Sequence, residues 1–394
     1  MKFITDNDSY HQRMTQWRHA FHRCPETAFE EHQTSALIAQ VLSQAGIEHH
    51  RGLGTTGIVA TLKGSDPAAG TLALRADMDA LDLQELNSCG HKSSIDGKMH
   101  GCGHDGHSAM LLGAACYLAE HPESITGTVH FIFQPAEENE GGAREMIKEG
   151  LFQQFPVDAV FGMHNWPALP AGRAAVNDSS VMSAFDTFEI TVHGQGCHAA
   201  MPHQGVDPIV IASELVLALQ TIVSRSVDPL ESAVVTVTQI HGGDALNVIP
   251  NEVVIRGTCR FFKAEVQQLI IEHMQRLSDA ITLAHGASAT VAYTPRYPAT
   301  VNTADEAALA ASVLRQLIGE QQVEKNLAPS MGAEDFAFML ADNPGAYIWL
   351  GNGSEQHQAP LHNPYYDFND AILPTGANYW INLVGSWFEN QAKS

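Results

Sequence analysis

Positive charge is scarce in this chain of 394 residues: 21 Lys+Arg stand against 44 Asp+Glu, a formal net charge of -23. Such a surface repels phosphate backbones and anionic bilayers, which counts against nucleic acid and membranes as partners. Cysteine is scarce too. The six residues Cys24, Cys89, Cys102, Cys116, Cys197 and Cys259 include no CxxC pair, so neither a disulfide framework nor a zinc ribbon is indicated. A reducing, cytoplasmic compartment is the expectation. Long apolar runs are missing as well. The stretch around Met110–Ala119, taken as the longest, is too short to span a bilayer. The opening residues Met-Lys-Phe-Ile-Thr-Asp-Asn-Asp turn polar too early for a signal peptide. No internal repeat, low-complexity tract or long linker is visible, and a hydrophobic share of 44% excludes a disordered chain. Histidine, by contrast, is plentiful at 21 residues, several beside Gly, Asp or Glu. That is the first pointer to metal chemistry.

The hydrophobic pattern divides the chain into two kinds of segment. Helices are expected over Ser9–His22, Glu30–Gln44 and His107–Glu120, the last apolar on most faces and therefore buried. Strands are expected at Gly57–Leu62, Thr71–Arg75, Thr128–Phe133 and Ala159–Met163. This alternation implies an α/β sheet covered by helices, with ligands beyond the carboxyl ends of its strands. The middle of the chain reads strand Phe185–Val192, helix Pro208–Ser224, strand Ala233–Ile240, strand Val253–Phe262, helix Ala264–Leu283 and strand Ala287–Tyr293. That order is the ferredoxin-like split motif. Alternation resumes with a helix over Asp305–Ile318 and a strand over Ala346–Leu350. The expected architecture is a discontinuous α/β catalytic domain, residues 1–182 and 297–394, with a ferredoxin-like α+β domain inserted at 183–296.

Five short motifs carry chemistry, most of them at the ends of expected strands. They are Arg75-Ala-Asp-Met-Asp79, His100-Gly-Cys-Gly-His-Asp-Gly-His107, Gln134-Pro-Ala-Glu-Glu-Asn-Glu-Gly-Gly142, Gly162-Met-His-Asn165 and Leu361-His-Asn-Pro364. Thiol, imidazole and carboxylate on glycine-rich loops are what zinc, cobalt, nickel or manganese sites require. The adjacent pair Glu137 and Glu138 suits a division of labour, one carboxylate on metal and one moving protons. His107, opening a helix, reads equally as a cap or as a partner behind the ligands. A cysteine nucleophile at Cys102, paired with His104 or His164, is the rival chemistry. It leaves the Glu-Glu pair without a purpose.

Taken together, these motifs resemble the metallopeptidase family of aminoacylases and carboxypeptidases, most closely its branch of hippurate hydrolases and auxin-conjugate amidohydrolases. The similarity runs from His22-Arg-Cys-Pro-Glu26 to Asp370. It implies metal ligands at Cys102, His104, Glu138, His164 and His362, a general base at Glu137, and at Asp77 a carboxylate that orients a ligand. Arg75 stands where other branches carry a metal-binding His, and Asp82 where a proline is usual. In the inserted domain, His198 matches a histidine that reaches the active site of a partner subunit and stabilises developing charge. Asn247 and Arg260 match positions near the substrate. The segment Gly332-Ala-Glu-Asp-Phe336 matches another near the site. The resemblance implies two divalent ions per subunit (Zn, Mn, Co or Ni), hydrolysis of a small N-acyl amino acid, and a homodimer joined through the inserted lid domain. A dipeptidase or carboxypeptidase of the same broad family is the alternative, and a non-catalytic metal- or metabolite-binding protein is another.

Overall fold

The computed structural model describes residues 1–138, 140–325 and 327–392. In chain order it contains α1 (Ser9–Arg23), α2 (His32–Gln44), β1 (Glu48–Leu53), β2 (Gly57–Lys63), β3 (Thr71–Asp77), α3 (His104–Glu120), β4 (Thr128–Gln134), β5 (Ala159–Pro170) and β6 (Ala174–Val176). There follow β7 (Ala184–His193), α4 (Pro208–Thr221), β8 (Ala233–His241), β9 (Glu252–Phe261), α5 (Ala264–Ala284) and β10 (Ser288–Tyr297). The main elements close with α6 (Ala304–Ile318), β11 (Val323–Lys325), β12 (Gly345–Gly353) and α7 (Leu373–Gln391). Two compact units result. One holds Met1–Val181, Thr300–Pro329 and Asp335–Ser394, the other Met182–Ala299 and Ser330–Glu334.

The first unit is built on an eight-stranded sheet of order β1-β2-β4-β3-β5-β12-β6-β11. Its central strands β4, β3, β5 and β12 run parallel. Every residue of β4, and all of β3 after Thr71, is buried, as strands covered on both faces must be. Register then decides where chemistry can sit. Asp77 pairs with Gln134, and Arg75 with Gly162. The carboxyl end of β3 therefore lies level with His164 on one side and with the start of the Glu137-Glu138 loop on the other.

Helix α3 begins at His104, three residues earlier than its hydrophobic pattern suggests, and is buried on nearly all sides. Leu111, Leu112 and Leu118 have no exposure, each contributing about 1.5–3 kcal/mol relative to an exposed side chain. The helix is anchored well before its first turn is asked to hold His104. Gly103, just ahead of it, has φ of 95°. A Cβ there would meet the Asn165 amide at 2.2 Å, so only glycine fits between Cys102 and His104. Strand β1 and helix α7 have no counterpart in the expected elements.

The second unit follows the order β7-α4-β8-β9-α5-β10, with an antiparallel sheet of order β8-β9-β7-β10. This is the ferredoxin-like motif. Its core includes Ile190, Val192, Leu215, Leu219, Ile255 and Ile270. Helix α4 and the turn after it, Pro208–Ser226, form one helix long and apolar enough to cross a membrane by length and composition, with a mean hydropathy of 1.5 over its best window. It, and not the run near Met110, is the longest apolar stretch among the described residues. Ile211, Leu215 and Leu219 face the core of the unit, while Ile209, Val210 and Leu217 are exposed.

Behind the first turn of α3 lies a polar network that ties it to α1. Arg18 is fully buried and reaches Asp105 (3.5 Å), Asp367 (2.8 Å) and Asp370 (2.8 Å). His22 donates to Asp105 (2.8 Å) and to Glu85 (3.3 Å). Burial pulls the His22 imidazole down, and Arg18 does the same, but Asp105 and Glu85 outweigh both and raise it to about 9. A base raised on folding stabilises fully below its unfolded value near 6.5, and that stability is lost as pH rises through about 9. The shift is worth up to about 3 kcal/mol. Melting of the wild-type protein is therefore expected to weaken between pH 7 and pH 10 more steeply than melting of His22→Gln. Parallel curves for the two proteins would show that no imidazolium is held there.

Candidate metal centre

At the carboxyl ends of β3, β4 and β5, side chains from four separate stretches of chain converge. Cys102 Sγ lies 3.3 Å from His164 Nε2. His362 Nε2 lies 3.2 Å from Glu138 Oε1, and His104 Nε2 3.8 Å from the same oxygen. The donor atoms of Cys102, His104 and His164 are within 4.8 Å of one another; so are those of Cys102, Glu138 and His362, and those of His104, Glu137 and Glu138. The structure thus brings together all five expected ligands and Glu137. His104 Nε2 is buried and has no hydrogen-bond partner among the described residues. Orphaned lone pairs of this kind mark a place meant for a cation.

Two of the three imidazoles are oriented from behind. His164 Nδ1 donates to the Asn165 carbonyl at 2.6 Å, which leaves Nε2 facing Cys102. His104 Nδ1 donates to Asp79 Oδ1 at 3.1 Å, which leaves its Nε2 for an ion. Asp79 Oδ2 also accepts the Glu138 N–H at 3.0 Å, so one carboxylate positions two ligands. Asp77, expected to orient a ligand, has Oδ2 3.9 Å from His104 Nε2 and bonds to His107 with its other oxygen. Its Oδ1 accepts from His107 Nδ1 at 2.6 Å, while the Asn165 N–H donates to His107 Nε2 at 2.9 Å. Both ring nitrogens of His107 are therefore engaged, and it stands behind the ligands. Arg75, placed where other branches carry a ligand, is a strut. Its guanidinium donates to Gln134 (2.7 Å), Asp77 (2.8 Å) and Asp335 (3.0 Å).

The electrostatics follow from crowding acids in a dry site. Burial first, then the charges of Glu138 and Glu137, push the Cys102 thiol well up. Burial pulls His104 down, but Asp77, Asp79 and Glu138 raise it to about 10. Burial and the neighbouring His107 hold His164 well below the usual range. The hydrogen bond to Glu138 raises His362. The donor set of one thiol, three imidazoles and a carboxylate suits divalent transition ions.

Glu137 is buried, and its Oε1 accepts the Asp335 N–H at 3.3 Å. Its loop is held by a residue the sequence did not single out. Glu31 Oε1 accepts from the Ala136 N–H (3.0 Å), and its Oε2 from the Thr56 hydroxyl (2.6 Å). Burial and the charge of Asp79 raise the Glu31 carboxyl to about 7. Ala136 has φ of 54°, a conformation costing an alanine about 1–2 kcal/mol. Asn165, beside His164 in sequence, is a second support that the motifs do not reveal. Its amide donates to the Cys102 carbonyl at 2.6 Å and accepts from the Tyr366 hydroxyl at 2.8 Å.

The three remaining expected residues lie in the second unit. His198 is exposed, pairs with Val248, and accepts the Ala200 N–H on Nδ1 at 3.1 Å. The Asn247 carbonyl accepts from the Ala199 N–H at 3.0 Å, which keeps Asn247 beside that turn. Arg260 lies over the Phe185 ring at 4.1 Å, and its Nη1 is buried with no hydrogen-bond partner among the described residues.

A paired-ligand centre with a buried carboxylate beside it, at the strand ends of an α/β sheet, defines a metal-dependent hydrolase. The pattern of peptidase family M20/M25/M40 matches residues 73–386, and the chain belongs to that family. An IAA-amino acid hydrolase (ILR1-like 2) of Arabidopsis thaliana is 41% identical over 96% of this chain and 86% of its own length. The hippurate hydrolase of Campylobacter jejuni is 39% identical over 93% of this chain and 94% of its own. A solved Bacillus subtilis structure, described as a dinuclear metal-binding peptidase of family M20, superposes with a TM-score of 0.85 at 33% identity, covering 97% and 99% of the two chains.

If Asp79 orients His104, Asp79→Asn weakens metal binding roughly 10–100-fold without unfolding the protein. Competition against a chromophoric chelator reads this directly. An unchanged affinity would remove Asp79 from the centre.

Proposed function

We propose that the protein cleaves the amide bond of N-acyl amino acids, giving a carboxylate and a free amino acid. One observation carries the reading: Glu137, a buried carboxylate, stands within 4.8 Å of the donor atoms of His104 and Glu138. Cys102, His104, Glu138, His164 and His362 would hold two divalent ions, with zinc, manganese, cobalt and nickel all compatible with the donors. When bound, such ions polarise a carbonyl and acidify a water. Glu137 takes the proton of the attacking water and returns it to the departing nitrogen. Its bond from the Asp335 N–H fixes its direction. Arg260, with a nitrogen left unsatisfied, receives the α-carboxylate of the substrate, a charge-assisted contact. Asn247, whose carbonyl accepts from Ala199 next to His198, is assigned with that histidine to the substrate. His198 donates to the oxygen on which charge develops.

In this reading His198 serves the centre of a second copy of the chain, so the working unit is a homodimer, placed in the cytoplasm. The exposed Ile209, Val210 and Leu217 of α4, with Val234 and Ile240 on the edge strand β8, offer the apolar surface and open strand edge that such an association needs. A free α-carboxylate is common to acyl amino acids and dipeptides. The relatives named for acyl amino acid substrates favour the former, and a substrate panel decides between them.

Glu137→Ala is expected to keep its metal content while turnover drops by at least about 1,000-fold, in line with loss of a general base. Normal hydrolysis by that variant would remove the assigned base. Mixing inactive Glu137→Ala with inactive His198→Ala, under conditions that exchange subunits, is expected to recover part of the activity. The mixed dimer then has one complete centre. A mixture that stays inactive, or a fully active monomer, would contradict the shared arrangement.

A further inference from the structure

A second group of metal-type donors lies outside the centre, on the other side of Arg18. Cys89 and His91 stand two residues apart on the loop after Glu85, and Asp367 lies five residues beyond His362. Donor atoms of Cys89, His91 and Asp367 are all within 4.8 Å of one another. His91 Nε2 is 3.0 Å and 3.2 Å from the two oxygens of Asp367. His19 stacks on His91 at 4.1 Å and donates to Asp370 at 2.8 Å. All of these residues are partly exposed, with 12% of His91 and 23% of Asp367 open to solvent, so an ion could enter.

Charge favours it. Four carboxylates, Glu85, Asp105, Asp367 and Asp370, surround this region, against the Arg18 guanidinium and the His22 imidazolium. Arg23 adds a third cation, donating to the Gly90 carbonyl between Cys89 and His91 at 3.2 Å, so before His19 and His91 are counted one positive charge is wanting. His91 and Asp367 bond to each other, while the Cys89 thiol makes one long side-chain hydrogen bond, to Glu85 at 3.9 Å. Arg18 is no obstacle. Its NH2 group, 3.0 Å from His91 Nε2, also reaches Asp370 Oδ2 at 3.3 Å and keeps that partner if the histidine turns its lone pair to an ion. Asp367 has two oxygens: Oδ1 lies 2.8 Å from Arg18 Nη1, and Oδ2 lies 3.2 Å from His91 Nε2, a contact that an ion between the two would replace.

We propose that Cys89, His91 and Asp367 form a third metal site, selective for a thiolate-binding divalent ion such as zinc, with solvent completing the coordination. The thiol proton of Cys89 leaves as the ion enters. The ion joins the loop carrying Cys89 to the segment carrying Asp367, and so braces the Arg18–Asp105 network behind His104. Its role is structural: hydrolysis does not require it.

The test uses the full chain, stripped with chelator, saturated with zinc and freed of excess by gel filtration. Wild-type protein is expected to retain one more zinc per chain than the double variant Cys89→Ser/His91→Gln. That variant should keep hydrolytic activity within a few-fold, which also shows that it has folded. Equal zinc contents would overturn the site, whatever the number bound at the centre. A second readout needs no variant. Zinc should slow alkylation of Cys89 at least tenfold, whereas magnesium should not, with the partly exposed Cys24 and Cys197 as references in the same peptide digest. A Cys89 alkylation rate indifferent to zinc would equally overturn the proposal.

Discussion

Lone pairs that repel one another are held together at the strand ends of this protein, and the rest of the first unit is arranged to keep them there. Cys102, Glu137 and Glu138 crowd a dry space in which burial and mutual charge drive the thiol towards its protonated form. Only a cation removes that conflict, because it turns each repulsion into a shared attraction. The orphaned His104 Nε2 is the direct trace of this constraint.

Holding such a site costs backbone freedom, and the fold supplies rigid support. Gly103 admits the Asn165 amide where any side chain would collide. Ala136 and His362 both take left-handed conformations. Glu31 fixes the first through its N–H, and the Gly101 carbonyl fixes the second by accepting the His362 N–H at 2.8 Å. Behind the ligands, Asp79, Asp77, His107, Asn165 and Arg75 form a hydrogen-bonded layer that sets which nitrogen of His104 and of His164 faces forward. This agrees with the general importance of partners behind metal ligands.

Much of this was legible in the sequence. Alternating apolar runs located the strands and the split ferredoxin-like unit, clustered His, Cys and Glu pointed to metal chemistry, and the family resemblance of those motifs implied the five ligands that converge. What escaped was governed by position in space. Asp77 and Asp79 look equivalent as letters, yet only the twist of chain beyond β3 sends one to His107 and the other to His104. Glu31 lies 105 residues from Ala136 in sequence, so no local pattern could link them. Helix α7 passed unnoticed although its residues Tyr379, Trp380, Leu383 and Val384 are buried. Its apolar face is readable only once α3 is known to lie against it. The apolar helix α4 was underrated because its outer and inner faces alternate along one run, and nothing in the letters says which face meets the core.

The central claim is that one small volume at the strand ends holds a pair of ions between Cys102, His104, Glu138, His164 and His362. Anomalous diffraction from crystals of zinc-loaded protein tests it most directly. The account predicts two peaks there, about 3.5–4 Å apart, with Cys102 Sγ about 2.3 Å from at least one. A single ion at the centre, or a pair that leaves Cys102 beyond bonding distance, would contradict it.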